Sequence, residues 1–184
     1  MTTLRVWGNH HFMNKNNKFE ETFKKTIQVE NICEDPILYN IGSQCLSDRF
    51  IRKLRRFIDA ARHSPQVHVI ALGDIDVNKG VSGERIVTQL YKIAKLANKR
   101  PQLKIVINAI IPRGIPDDSQ EKFNCIEINR EIHRTLKFLP RVVFVNTDFV
   151  LLPSDYTDSY TLNDSGGVKL AHFLALAIKK MSTC

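Results

Sequence analysis

Val67-His68-Val69-Ile70-Ala71-Leu72-Gly73-Asp74-Ile75-Asp76 opens the stretch that decides the fold. Its first six residues are almost wholly apolar and rich in β-branched side chains, as in a strand covered on both faces. Breaker-rich residues 76–83 follow, and residues 83–98 then repeat their apolar positions with helical spacing. Residues 103–110 begin another apolar run. Strand, loop, helix and strand make a unit whose two strands are parallel. The succession extends both ways: residues 4–7, 37–41 and 142–145 are further runs, and helical patterns occupy about 19–29, 47–63, 118–137 and 166–180. The expectation is one α/β domain over 1–184, a doubly wound three-layer sandwich with a five-stranded parallel sheet. In such sheets the loops after the strands' carboxyl ends line the binding crevice. Those loops are residues 8–14, 42–47, 73–83, 112–119 and 147–164.

The chain has 184 residues, 43% apolar and 25% charged, which supplies enough apolar surface to fold and excludes disorder as the main state. No apolar run approaches about 18 residues, so no membrane partner is expected. Met1-Thr2-Thr3-Leu4-Arg5 lacks the pattern of a secretory leader, and the immediate start on a core strand reads as a domain excised from a longer polypeptide. Cys33, Cys45, Cys125 and Cys184 are far apart and form no Cys-x-x-Cys pair, which argues against a disulfide scaffold and a zinc site. A reducing compartment, the cytoplasm, is the expected location. Neither G-x-G-x-x-G nor G-x-x-x-x-G-K-[ST] occurs, and no cofactor is expected.

The 27 Lys and Arg exceed the 19 Asp and Glu, giving a net charge of +8. Part of that excess is local. Ser47 is a candidate N-cap. After it, Phe50, Ile51, Leu54, Phe57, Ile58 and Ala61 fall on one stripe of a helix. Arg49, Arg52, Lys53 and Arg56 fall on the opposite face, with Arg55 and Arg62 on its flank. Only Asp48 and Asp59 interrupt the positive charge. A solvated helix face intersperses both signs; this face repels itself. Arginine's planar fork suits bidentate phosphate contacts, so the face is a candidate phosphate-binding surface. Lys15 and Lys18, in an Asn-rich loop after the first strand, are further candidates.

The order of loops also carries a resemblance. Asp158-Ser-Tyr-Thr-Leu-Asn-Asp-Ser-Gly-Gly-Val-Lys-Leu-Ala171 resembles the last block of SGNH (GDSL-type) hydrolases. Ile111-Pro112-Arg113 with Ile128-Asn129-Arg130-Glu131-Ile132 resembles the segment before it. Tyr39-Asn40-Ile41-Gly42 is similar to the second block, and Ala71-Leu72-Gly73-Asp74-Ile75-Asp76 to the third. Val6-Trp7-Gly8-Asn9-His10 stands where that family has Gly-Asp-Ser. The resemblance spans the chain in the right order.

Hydrolysis in that family needs a Ser nucleophile, a His that activates it and donors for the oxyanion. This chain has His10 at the Ser position, Thr161 at the His position and Ile75 at the Asn position; Asp158 alone stays in register. The resemblance therefore implies a pseudo-hydrolase with no catalytic residues. A Cys45–His10–Asp158 triad and a shifted Ser43 nucleophile are the alternatives that would retain an esterase. His63, His68, His133 and His172 fall on helices or a buried strand and read as packed or surface side chains. Ser165-Gly166-Gly167 opens the last helix and offers N–H groups to an anion, although a family-typical helix start explains it as well.

Eroded catalytic blocks with an added basic helix resemble the OSK-domain family of insect germ-plasm proteins. That resemblance implies a non-catalytic domain binding mRNA, single-stranded or structured, through 3′ untranslated regions. Germ-granule proteins would be its partners. Phe12, Tyr156 and Tyr160 lie in loops where bases could stack. The other reading is a protein-interaction scaffold whose charge serves solubility.

Overall fold

The computed structural model describes residues 2–9, 13, 17–111, 120–147, 150–158 and 161–182. In chain order come β1 (Thr3–Gly8), α1 (Phe19–Val29), β2 (Ile37–Asn40), α2 (Asp48–Ala60), β3 (Gln66–Ala71), α3 (Asp74–Asn78) and α4 (Gly83–Asn98). They are followed by β4 (Leu103–Asn108), α5 (Gln120–Leu136), β5 (Val142–Val145) and α6 (Asp164–Ser182). The strands form one parallel sheet in the order β2-β1-β3-β4-β5, the doubly wound arrangement expected. The chain moves outward from β1 to β2 and then back across to β3, so the strand order switches between β1 and β3. That junction is where such sheets open a crevice.

Alternation along the strands divides the core. Trp7, Ile70, Ile105 and Ile107 face α2, α4 and α5, while Leu4, Val6, Val67, Val69 and Val106 face α1 and α6. Every residue of β3 is buried, including two polar ones. His68 Nδ1 accepts from Trp7 Nε1 at 3.2 Å, and its Nε2 lies 3.1 Å from Gln66 Oε1. Burial holds His68 down at about 3, so the ring is neutral. Gln66 Nε2 donates to the carbonyls of Ile58 and Ala61, at 3.0 and 2.8 Å. Buried polar groups cost little when paired in this way.

Three boundaries differ from the sequence pattern. The α2 helix ends at Ala60 rather than near 63, because Gln66 takes up its last carbonyls and residues 61–63 turn away. His63 and Arg62 therefore follow the helix instead of extending it. A short helix, α3, occupies part of the breaker-rich loop after β3. Gly73, at φ 122°, makes the turn, and Asp74 and Asp76 in the first turn complement the helix's positive end. Finally, α6 starts at Asp164 because Asn163 Oδ1 accepts from Gly166 N at 3.1 Å.

Candidate functional site

On α2 the apolar stripe is as the spacing predicts. Phe50, Ile51, Leu54 and Ile58 are buried and Phe57 is half-buried. Burying a side chain of that size is worth about 1.5–3 kcal/mol, so packing rather than charge holds the helix down. Ser47 Oγ accepts from Phe50 N at 3.2 Å and caps the start.

Arg49, Arg52, Lys53, Arg55 and Arg56 are all exposed. Among the described residues none of the five forms an ion pair with a carboxylate. The helix's two acids are turned aside. Asp48 Oδ1 accepts from Lys92 Nζ of α4 at 3.1 Å, and Asp59 pairs with Arg100 just beyond α4. The bond to Lys92 holds the Asp48 carboxyl below its ordinary value, with Arg52 adding a smaller pull. Lys53 Nζ stands 6.0 Å from the centre of the Trp7 ring, close to the limit for a cation–π contact. Arg5 of β1 reaches the same edge of the sheet, its guanidinium 5.8 Å from the Phe57 ring. Nothing in the sequence pattern singled out Arg5; two residues before Trp7 on β1, it shares that residue's face of the sheet, toward α2.

Arg62 is exposed and donates from Nε to His63 Nε2 at 3.0 Å. It shares a hollow of about 210 Å³ with Lys99 and Arg100, which the sequence presents as ordinary solvated cations. The exposed cations thus run from Arg49 to Arg56 on α2 and resume at Arg62 and Lys99 beyond the Asp59–Arg100 pair. Lys18 does not join it. It precedes α1 on the other side of the sheet and faces Asp164 at 3.8 Å. Lys15, His10, Phe12 and Tyr160 lie outside the described residues. Tyr156 is half-buried against the α1–α6 side of the core, and burial drives its hydroxyl pKa upward.

The crevice at the strands' carboxyl ends is built differently. Asn9 is buried and its Nδ2 donates to Asp74 Oδ1. Burial pushes the Asp74 carboxyl up to about 6, against the pull of Asn9 and nearby backbone N–H groups. Asp76 is buried and accepts from Leu46 N at 3.0 Å, and burial raises it too. Burial, with the Asp76 charge, also raises the Cys45 thiol. A raised thiol holds less of the nucleophilic thiolate. Asn40 Oδ1 accepts from Gly42 N at 2.9 Å, and Asp158 Oδ1 accepts from Thr161 N at 2.8 Å. The Asn9–Asp74 contact is invisible in sequence, since its members are 65 residues apart. Among the described residues no group of three or more His, Cys, Asp or Glu is placed to hold a metal ion.

The glycines at the start of α6 have a packing reason. A Cβ on Gly166 would stand 2.4 Å from the Asp155 carbonyl oxygen. The N–H groups of Gly166 and Gly167 go to Asn163 Oδ1 and O, at 3.1 and 2.9 Å. Close approach, not anion binding, accounts for the pair.

No family model matches the chain and no curated protein matches it. Solved structures do. A carbohydrate esterase family 3 protein from Talaromyces cellulolyticus is 12% identical, with all of both chains covered and a TM-score of 0.77. An acetylxylan esterase from Geobacillus stearothermophilus is 13% identical, covering 96% of this chain and 93% of that one, TM-score 0.74. A GDSL-like lipase from Bacteroides thetaiotaomicron is 16% identical, covering 97% and 88%, TM-score 0.70. No helix among the described residues is long and apolar enough to cross a membrane. At these identities the likeness is one of fold, and the fold is that of the SGNH (GDSL-type) hydrolases: a three-layer sandwich on a five-stranded parallel sheet.

Proposed function

We propose that this is a non-catalytic RNA-binding domain on an SGNH hydrolase-like scaffold. The observation that carries the reading is the charge arrangement on α2. Among the described residues the five exposed cations form no ion pair with a carboxylate, while both acids of the helix are paired with cations at α4 and its end. A helix of thirteen residues spans about 20 Å, enough to lie along several phosphates. Arg62 and Lys99 continue the surface past its end, beside the Arg100–Asp59 pair. The RNA is mRNA, held chiefly by its backbone, so sequence preference is modest or supplied by shape. By the resemblance to the OSK-domain family, the setting is germ-plasm assembly in cytoplasmic germ granules, with germ-granule proteins as partners.

Fluorescence anisotropy with a labelled single-stranded RNA at several salt concentrations tests the reading. Neutralising four phosphates gives a slope of log K against log salt of about −3. No binding at low salt sinks it.

The absence of catalysis belongs to the same proposal. It is supported by Thr161 and Ile75 at the expected His and Asn positions and by the raised Cys45 thiol. Turnover of p-nitrophenyl acetate above buffer, abolished by Cys45→Ala or Asp158→Ala, would restore the esterase reading that the names of the similar structures suggest.

A further inference from the structure

At the amino ends of β3 and β4, the far end of the sheet from the crevice, α2 and α4 both stop beside a hollow of about 210 Å³. Arg62 and Gln66 line one side, where the chain passes from α2 into β3. Residues 99–103 line the other, where it passes from α4 into β4. A backbone bond joins the two sides, from Gln66 N to the Gln102 carbonyl at 2.9 Å. Gln66 is buried, and its side chain is committed to the carbonyls of Ile58 and Ala61 and to His68. It gives the hollow a fixed shape and offers no group to a ligand.

What the hollow offers is positive charge. Three residues lining it, Arg62, Lys99 and Arg100, are cations, and among the described residues no acid lines it. Arg100 is answered from outside by Asp59. Lys99 is exposed and has no partner among the described residues. Arg62 gives its Nε to His63 Nε2 at 3.0 Å, a ring nitrogen that takes a hydrogen bond without cancelling the charge. Two cations thus share one concave site with no carboxylate of their own.

Size and charge together select the ligand. Small-molecule pockets run from about 300 Å³ upward, so a hollow of about 210 Å³ takes a phosphate group and leaves its nucleoside outside. A phosphodiester within a strand brings one negative charge, and its neighbours on both sides have to cross the walls. A phosphomonoester at a strand's end brings about 1.5 to 2 charges and three acceptor oxygens, with a neighbour on one side only. It answers both cations, and the guanidinium fork can take two of its oxygens. The helix leading into the hollow says what carries the monoester. Arg49, Arg52, Lys53, Arg55 and Arg56 lie exposed along it, ready for the phosphates that follow. A free metabolite or a phosphopeptide leaves those five unused.

We propose, resting on the RNA-binding reading above, that this hollow holds the terminal phosphomonoester of an RNA strand lying along α2, bound by Arg62 and Lys99. Such an end is left when a longer RNA is hydrolysed. The domain therefore holds cleavage products more tightly than strands ending in a hydroxyl, and selects RNA by how it was cut.

The test uses the intact chain and decauridine labelled with fluorescein at one end, read by anisotropy. The other end carries a hydroxyl or a phosphate, in separate 5′ and 3′ versions. A phosphate at one of the two ends should tighten binding at least about fivefold, about 1 kcal/mol, and the end that gains fixes the strand's direction. Arg62→Gln with Lys99→Gln should bring the ratio of phosphate to hydroxyl strand within about twofold of one. Both side chains are exposed, and an unchanged thermal melt shows that the variant folds. Arg52→Glu with Arg56→Glu should weaken both strands and keep the ratio. A gain below about fivefold overturns the proposal, as does a ratio that survives Arg62→Gln with Lys99→Gln. Equal gains at both ends mean that any added charge serves, and overturn it too. If uridine 5′-monophosphate or a phosphoserine peptide binds as tightly as the phosphorylated strand, the ligand is not an RNA end, and the proposal fails. Hydroxyl RNA that binds without a gain from phosphate removes this proposal alone. No binding of any strand removes the RNA-binding reading with it.

Discussion

The outer face of α2 and the crevice at the strands' carboxyl ends are both rich in polar side chains, and they dispose of them in opposite ways. In the crevice the polar groups are taken up by one another: Asn9 by Asp74, Asp76 by the Leu46 N–H, Asp158 by the Thr161 N–H and Asn40 by the Gly42 N–H. On α2 the cations face water and, among the described residues, form no ion pair with a carboxylate. Those four groups have little left to offer a reacting group, whereas Asn108 Oδ1 and Thr147 Oγ1, buried at the end of β4 and just beyond β5, have no hydrogen-bond partner among the described residues. A surface of unmatched charge gives up little when a polyanion arrives. This contrast is what supports the proposal that the flank of α2 is the binding surface of the chain.

The largest expected effect breaks the crevice half of this comparison. Asp74 titrates at about 6 in the folded chain and at 3.8 as a free side chain. Between those values the folded state keeps a proton that the unfolded chain has released. The contribution of Asp74 to stability therefore falls as pH rises from about 4 to about 6 and is level above that. Asp74→Asn should remove that fall, leaving the part due to Asp76, and make the protein up to about 3 kcal/mol more stable at pH 7, read from urea melts at pH 4, 5, 6 and 7. An unchanged profile would mean that the half-buried Asp74 does not hold its proton in the folded chain.

Next comes the α2 half. Arg52→Glu with Arg56→Glu should weaken RNA binding at least about tenfold, about 1.4 kcal/mol, and flatten the salt slope. Thermal stability should stay within about 0.5 kcal/mol, as expected of surface substitutions. Unchanged RNA affinity would leave the basic face without a ligand. Ser47→Ala sharpens the separation of helix stability from charge. Losing the cap should cost about 1 kcal/mol in a urea melt while RNA affinity, measured well below the melt, moves less than about twofold.

The smallest effect is the control. On α5, Arg130 pairs with Glu127, and Arg134 pairs with Glu131 at 2.9 Å, each three residues away. These are the mixed signs of an ordinary solvated helix. Arg130→Ala with Arg134→Ala should change stability by less than about 1 kcal/mol and RNA affinity by less than about twofold. A loss as large as that of the α2 pair would show that any exposed arginine serves, and the comparison would collapse.

The sheet was legible because parallel strands buried on both faces announce themselves as apolar runs, as at Val67 to Leu72. The α2 stripe was legible for a similar reason, since period alone separates Leu54 from Arg52. What could not be read were choices made across the sheet. Whether Asp48 answers Arg52 on its own helix or Lys92 on the next depends on how α2 and α4 lie side by side. The Asn9–Asp74 contact needs two strand ends to meet. The short α3 helix hides behind Gly73, where a breaker reads as a loop although the residues after it have a helix to start. Lys18 illustrates the reverse error of proximity: it follows a strand beside the basic helix but comes out on the opposite layer, against Asp164.

The two ion pairs that draw Asp48 and Asp59 away from their own helix have a consequence for how this surface can change over time. They tie α2 to α4 and the turn beyond it near both of its ends, and the buried stripe ties it to the sheet along its length. The five cations between carry none of that attachment. Apart from Lys53 beside the Trp7 ring, substitutions among them leave the attachment of the helix intact, so under the proposed function it is ligand binding that keeps these side chains in place.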